Sequence, residues 1–221
     1  MNLRSSLQKL LPSVVFAIAG LGMLRASDWE LWMTFRGDLE FTDQLGGLIE
    51  VEERIRDDFT DPYLTFSRQG IYWNAEPWLR LGANYLYSTR DTDDSDNEAE
   101  NRVEFRLTFR HQIEEFRLSM RNQFDSRFSG DSFQERYRIR LQAIRPLFDV
   151  SDRTLSVFGA NEFFFDLSNG GEYRQNRLTG GFAYDLGPGI RPVIYYRYRS
   201  LKISGQWVNF NVLGVMMRVQ F

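Results

Sequence analysis

The sequence predicts an all-β chain: a transmembrane, antiparallel up-and-down β-barrel, preceded by a signal peptide helix. Three observations lead there. Apolar residues recur at every second position through most of the chain, the alternating runs are long, and their polar side is rich in arginine. Successive side chains of a strand point to opposite faces, so such alternation marks a ribbon with one apolar and one polar face. Runs of about 12–14 residues reach roughly 40 Å at ~3.3 Å per residue. Soluble sandwiches use strands of ~5–6 residues, whereas a tilted strand crossing a bilayer needs ~9–11 in the hydrocarbon.

Composition sets the bounds. The chain has 221 residues, 43% of them hydrophobic, which excludes an intrinsically disordered chain. A net charge of -3 excludes nucleic-acid binding driven by bulk charge. There is no cysteine, hence no disulfide, no cysteine nucleophile and no thiolate metal site; no cofactor is expected. Lys9 and Lys202 are the only lysines, so 25 of the 27 cations are arginine. Arginine offers a fixed fork of donors to carboxylates and phosphates.

The elements follow in chain order. MNLRSSLQK carries Arg4 and Lys9, LLPSVVFAIAGLGML is 15 uncharged residues, and RASDW supplies the small Ala26 and Ser27. These are the three regions of a signal peptide over 1–27, too short in its apolar part to span a membrane comfortably. Residues 28–221 then form one barrel domain. Alternation is present but less clean over 29–42, 47–57, 62–74, 78–89, 153–167 and 173–186. In NRVEFRLTFR, Val103, Phe105, Leu107 and Phe109 oppose Arg102, Glu104, Arg106, Thr108 and Arg110. In FRLSMRNQF, the comb Phe116, Leu118, Met120 and Phe124, broken by Asn122, opposes Arg117, Ser119, Arg121 and Gln123. Tyr137, Ile139, Leu141 and Ala143 oppose Arg136, Arg138, Arg140 and Gln142. Ile194, Tyr196 and Tyr198 oppose Val193, Tyr195, Arg197 and Arg199. The last run, VLGVMMRVQF, puts Leu213, Val215, Met217, Val219 and Phe221 on one side and Gly214, Met216, Arg218 and Gln220 on the other. Turn chemistry separates the runs: DQLGG, NAEP, SGD, PLFDVSD, SNGG and LGPG.

In this arrangement the apolar teeth face lipid and the arginines face the hollow. Closure leaves no strand edge unpaired, which lipid would penalise. Trp29, Trp32, Trp73, Trp78, Tyr85, Tyr87, Tyr196, Tyr198 and Trp207 lie near run ends or on outward positions, as interfacial girdles require. The runs number eleven, yet single-chain bacterial barrels have even strand counts with both termini on one side. Twelve strands are therefore expected, with ten as the fallback: a strand is missed, or 29–42 enters the lumen. Phe221 on the periplasmic side would put the longest connection, 90–101, outside.

A signal peptide, repeated amphipathic strands and a terminal Phe on an alternating last strand resemble a Gram-negative outer-membrane β-barrel. More narrowly, DWELWMTF, EVEERIR, LGANYLYSTR, NRVEFRL, RYRIRL, NEFFFDL and NRLTGGFAYDL, in that order, are similar to an uncharacterised outer-membrane barrel family known only as a domain of unknown function. Those pieces cover nearly the whole of 28–221. The resemblance implies a location in the cell outer membrane, among lipid and lipopolysaccharide, and a terminal Phe221 read by the barrel-assembly machinery. It implies no activity.

Three sets of residues invite chemistry. His111 is the only histidine, but no serine motif of an outer-membrane phospholipase lies near it, so a lipid-modifying enzyme is the remote alternative and no catalytic residue is expected. In DTDDSDNEAE, Asp91, Asp93, Ser95 and Asn97 have the alternate spacing of calcium ligands. An EF-hand would need Gly and Glu where Asp96 and Arg102 stand, so a solvated external loop is expected, with loose binding of divalent cations at a lipopolysaccharide surface as the alternative. The third set is the arginine ladder: Arg102, Arg106 and Arg110, then Arg117 and Arg121, then Arg136, Arg138 and Arg140, joined from further around by Arg177, Arg197 and Arg199. Glu50, Glu52, Glu104, Asp125, Glu162, Asp166 and Asp185 are their expected counter-charges. Such a ladder either stitches the lumen shut with ion pairs or forms a track that attracts small anionic solutes. The corresponding functions are a narrow porin-like channel, or a closed structural or interaction barrel.

Overall fold

The computed structural model describes residues 28–91, 97–150 and 153–221. The expected signal peptide over 1–27 and the centre of the acidic loop, 92–96, lie outside the described residues. All regular structure among the described residues is strand. In chain order the strands are β1 (Trp29–Glu40), β2 (Leu45–Arg56), β3 (Asp61–Glu76), β4 (Leu79–Arg90), β5 (Glu98–Ile113), β6 (Phe116–Ser129), β7 (Ser132–Val150), β8 (Arg153–Asp166), β9 (Glu172–Tyr184), β10 (Ile190–Ile203) and β11 (Gln206–Gln220). Each run of alternation is one strand, and 12–19 residues per strand match the expected length. Three turns sit elsewhere than their residues suggest. Leu45–Gly47 of DQLGG already belong to β2, Asn74–Glu76 of NAEP still belong to β3, and Pro146–Val150 of PLFDVSD still belong to β7.

Each strand pairs antiparallel with its neighbour in sequence, and the sheet closes into a barrel. The closure corrects the expected count of twelve or ten. Among the described residues there are eleven strands, and β1, within the expected 29–42, is wall. Hairpin after hairpin reverses direction, so the first and last of an odd number run the same way. They must then close as a parallel pair, and β1 and β11 do, from Trp29↔Asn211 to Asp38↔Gln220. The seam is fully bonded. Asn211 N donates to Asp28 O at 2.9 Å, Phe221 N to Asp38 O at 2.9 Å and Glu40 N to Phe221 O at 3.1 Å. The terminal residue is thus held by ladder bonds on both its backbone groups. The expectation that both termini share one side fails for the same reason. Asp28 sits at the mouth bearing the 57–60, 91–97, 130–131, 167–171 and 204–205 connections; Phe221 sits at the mouth bearing 41–44, 77–78, 114–115 and 185–189.

The two faces are sorted as the alternation requires. Phe105, Phe124 and Ile194 are exposed on the outer wall, each by more than half, along with Leu213, Val215, Met217 and Phe221. Glu104, Gln123, Arg138, Glu162 and Arg197 are buried inside. Polar residues that interrupt the outer face are satisfied sideways. Tyr137 Oη donates to Asn122 Oδ1 at 2.6 Å, which accounts for the break in the β6 comb, and Tyr196 Oη donates to Asn211 Oδ1 at 2.6 Å. Trp73, Trp78, Tyr85, Tyr87 and Trp207 are exposed as girdle residues would be. Trp32 is the exception and corrects that expectation: it points inward and is 1% exposed. Its β1 neighbours Glu30 and Thr34 share the inner face, so parity along the strand, not proximity to its end, decides its direction.

Inside, large rings rest on glycines of the neighbouring strand. A Cβ on Gly214 would fall within the ring of Tyr195, its direct cross-strand partner, and one on Gly46 within the ring of Tyr72. These glycines let an aromatic lie flat against the wall and keep the hollow clear.

Candidate functional site

The strands that carry the arginine ladder are consecutive, so their inner faces form one surface. Register fixes the rows: Arg121 stands opposite Arg140, and Arg140 opposite Glu162, which stands opposite Arg177. Stacking cations this closely is tolerable only if acids or anions lie between them.

A continuous lattice of ion pairs supplies part of that. At one flank, Asp38 is bound by Arg218 at 2.6 Å and Arg36 at 2.7 Å. Arg36 reaches Glu50 at 3.4 Å, and Arg68 binds both Glu50 and, at 3.0 Å, Glu104. Glu104, with no exposure, also holds Arg106 at 2.6 Å. Arg106 Nε donates to Gln123 Oε1 at 3.0 Å, and Gln123 Nε2 to Asp125 Oδ1 at 2.6 Å. Asp125 is held by Arg136 at 2.7 Å, with Arg138 at 3.7 Å between Asp125 and Glu162. Glu162 ends the lattice on Arg121 at 2.8 Å. The amide of Gln123 joins the two halves by accepting with its oxygen and donating with its nitrogen.

Two aromatic rings organise the rest. The guanidiniums of Arg54, Arg197 and Arg177 lie 3.7, 4.6 and 5.0 Å from the Trp32 ring centre. Those of Arg177, Arg138 and Arg136 lie 4.6, 5.2 and 5.3 Å from Phe164. An electron-rich face attracts cations without neutralising them, so this stacking orders arginines yet leaves their charge in place.

The charge count decides what the lumen can do. A cavity of about 1320 Å³, lined by residues of both mouths, is faced by nineteen arginines and four carboxylates, Glu50, Glu52, Glu162 and Asp185. Six more acids, Glu30, Asp38, Glu100, Glu104, Asp125 and Asp166, engage arginines or glutamines from beneath them. Nineteen guanidiniums thus meet ten carboxylates, an excess of nine. Arg80, Arg110, Arg117 and Arg140 have no carboxylate partner among the described residues, and Arg140 Nε is buried without an acceptor.

A family described as a protein of unknown function, DUF2490, matches residues 29–210. The chain belongs to the DUF2490 family. No curated protein matches it. The matched stretch of this DUF2490 barrel holds ten strands and the start of the eleventh, with every lumen arginine except Arg218. Within it, Arg102, Arg106, Arg110, Arg117, Arg121, Arg136, Arg138, Arg140, Arg177, Arg197 and Arg199 all line the same cavity. Glu104 and Glu162 are its two most heavily shared acids, while Asp185 sits at the Phe221 mouth bound to Arg191. The sequence reading omits Arg36, Arg54, Arg68, Arg80, Arg90, Arg127 and Arg191, and the acids Glu30, Asp38 and Glu100. Alternation from Glu50 through Glu52 to Arg54 is the signal that could have found Arg54. His111 pairs with Leu118, and Ser119 stands beside Arg110 on the lumen side, so the barrel builds no Ser–His pair there. Among the described residues, no group of acids and histidine could hold a metal ion.

Proposed function

We propose that this barrel lies in the outer membrane of a Gram-negative bacterium and acts as a narrow, anion-favouring channel for small solutes. The observation that carries the reading is the lumen's excess of nine guanidiniums over carboxylates. A barrel closed only for stability has every reason to balance its buried charges, because each unpaired one carries a desolvation cost. A surplus of one sign is useful where solutes of the other sign are drawn inward. The apolar outer wall, with Ile71, Phe105 and Ile194 each more than half exposed, supports hydrocarbon as its solvent. Lipid and lipopolysaccharide are then its neighbours, and the outward comb ending at Phe221 is the segment offered to the assembly machinery. No catalysis, cofactor or nucleic acid enters this reading.

The second reading, a closed interaction barrel, has its own support in the lattice from Asp38 to Glu162 and in Trp32 and Phe164, each 1% exposed at its centre. Planar-bilayer recording separates the two. The channel should give anion-selective steps, and Arg117→Glu, an exposed unpaired position, should lower the anion preference several-fold. Silent bilayers containing verified, inserted protein would leave the closed barrel.

A further inference from the structure

Two like charges converge on one neutral atom at the Phe221 mouth. Arg80 Nε donates to Asn74 Oδ1 at 2.7 Å, and Arg110 Nη2 donates to the same oxygen at 3.5 Å. The Arg80 guanidinium also lies 3.9 Å from the Tyr72 ring centre. Neither arginine has a carboxylate partner among the described residues. Asp38, on the same side of the barrel, is already shared by Arg36 and Arg218.

The backbone fixes this pair in place. Asn74 N donates to Gln44 O at 2.7 Å, and Arg110 N donates to Trp78 O at 2.8 Å, so each strand is anchored to a turn at that mouth. Each guanidinium carries five N–H donors, and an amide oxygen can take only two hydrogen bonds. Most donors of this pair are therefore unfilled by protein and directed around one point, while their mutual repulsion disfavours the arrangement unless an anion sits between them. A tetrahedral or planar oxyanion satisfies both forks at once, each by a charge-assisted bidentate contact.

We propose that Arg80 and Arg110, positioned by Asn74 and Tyr72, clamp a small oxyanion at the Phe221 mouth: a phosphate or carboxylate group, free or borne on a larger solute. This deepens the anion-channel reading and rests on it for the direction of solute traffic, but binding itself does not require conduction. The clamp makes the lumen asymmetric. Toward the opposite mouth, Arg102 and Arg127 share Glu100, and Arg199 is bound by Glu30.

Calorimetry on detergent-purified, folded barrel tests it, with inorganic phosphate and acetate titrated separately. Saturable binding of either anion is expected, and the tighter of the two identifies the preferred group. Arg80→Gln and Arg110→Gln should each weaken that binding at least tenfold. Arg174→Gln, near the far mouth on β9 and outside the cavity lining, should leave it unchanged. Asn74→Asp puts a built-in carboxylate on the acceptor that both guanidiniums share, so it competes with the anion for their charge; it should abolish binding and raise the unfolding temperature together. The clamp is overturned if folded wild-type protein binds neither anion, if binding survives both arginine substitutions, or if Asn74→Asp binds like wild type. Bound anion with silent bilayers would remove the channel and leave the clamp; conduction without binding would do the reverse.

Discussion

Glu104 shows what one inward residue is asked to do. It sits on β5 with no exposure, bound to Arg68 at 3.0 Å and Arg106 at 2.6 Å, with Arg102 at 3.7 Å. Replacing it by Gln removes the one charge that three buried cations share, and uncompensated buried charge typically costs about 3–5 kcal/mol. Glu104→Gln is therefore expected to lower resistance to urea unfolding in lipid vesicles by that order. A double substitution with Arg68→Met, which removes one of the stranded cations, should recover part of the loss. A double change no better than Glu104→Gln alone would mean the lattice is not held by this carboxylate.

At the scale of the strand, most of the fold was legible and the failures are instructive. Alternation in β5, β6, β7 and β10 is clearest, broken by Asn122 in β6 and by the inward Val193 and Tyr195 in β10, because the outer face is mostly apolar and the inner one mostly guanidiniums, acids and amides. It blurs in β1 to β4, where inward positions include Leu48, Leu64, Phe66 and Leu86. Apolar residues on both faces erase the period-two signal, and Arg68 and Arg80 were hidden by it. Trp32 misled because an aromatic near a strand end reads as a girdle residue; of the arginines on its ring only Arg54 is a neighbour, opposite it on β2, while Arg177 and Arg197 come from β9 and β10, far away in sequence. The Arg80–Arg110 pairing was illegible for a similar reason: the shared acceptor, Asn74, belongs to a third strand. The seam between β1 and β11 is the one parallel contact in the barrel. Parallel ladders are slightly weaker per residue, and this one joins segments about 180 positions apart, so it has the largest loop-closure cost. Amide hydrogen exchange should be fastest along β1 and β11 among the strand interiors. Uniform protection around the wall would refute a weak seam.

For the molecule as a whole, closure and charge act together. A closed wall satisfies the backbone without water, and this frees the inner face to carry an arginine surplus that an open sheet would hand to solvent. An odd strand number requires the parallel seam and sets Asp28 and Phe221 at opposite mouths, so the even count and the shared side expected of the termini fail together. Counting eleven runs was sound; assuming an antiparallel seam was not.

Opposed extremities turn this cylinder into a rivet. On the membrane reading, a tag fused ahead of Trp29 and another following Phe221 would be held about 30 Å apart along the axis, with a bilayer between them. A protease added to intact cells should strip one tag and spare the other; loss of both, or of neither, would contradict the parallel join. No short linker could unite the two tips, so a circular permutant should fail to fold here unless the linker threads the bore.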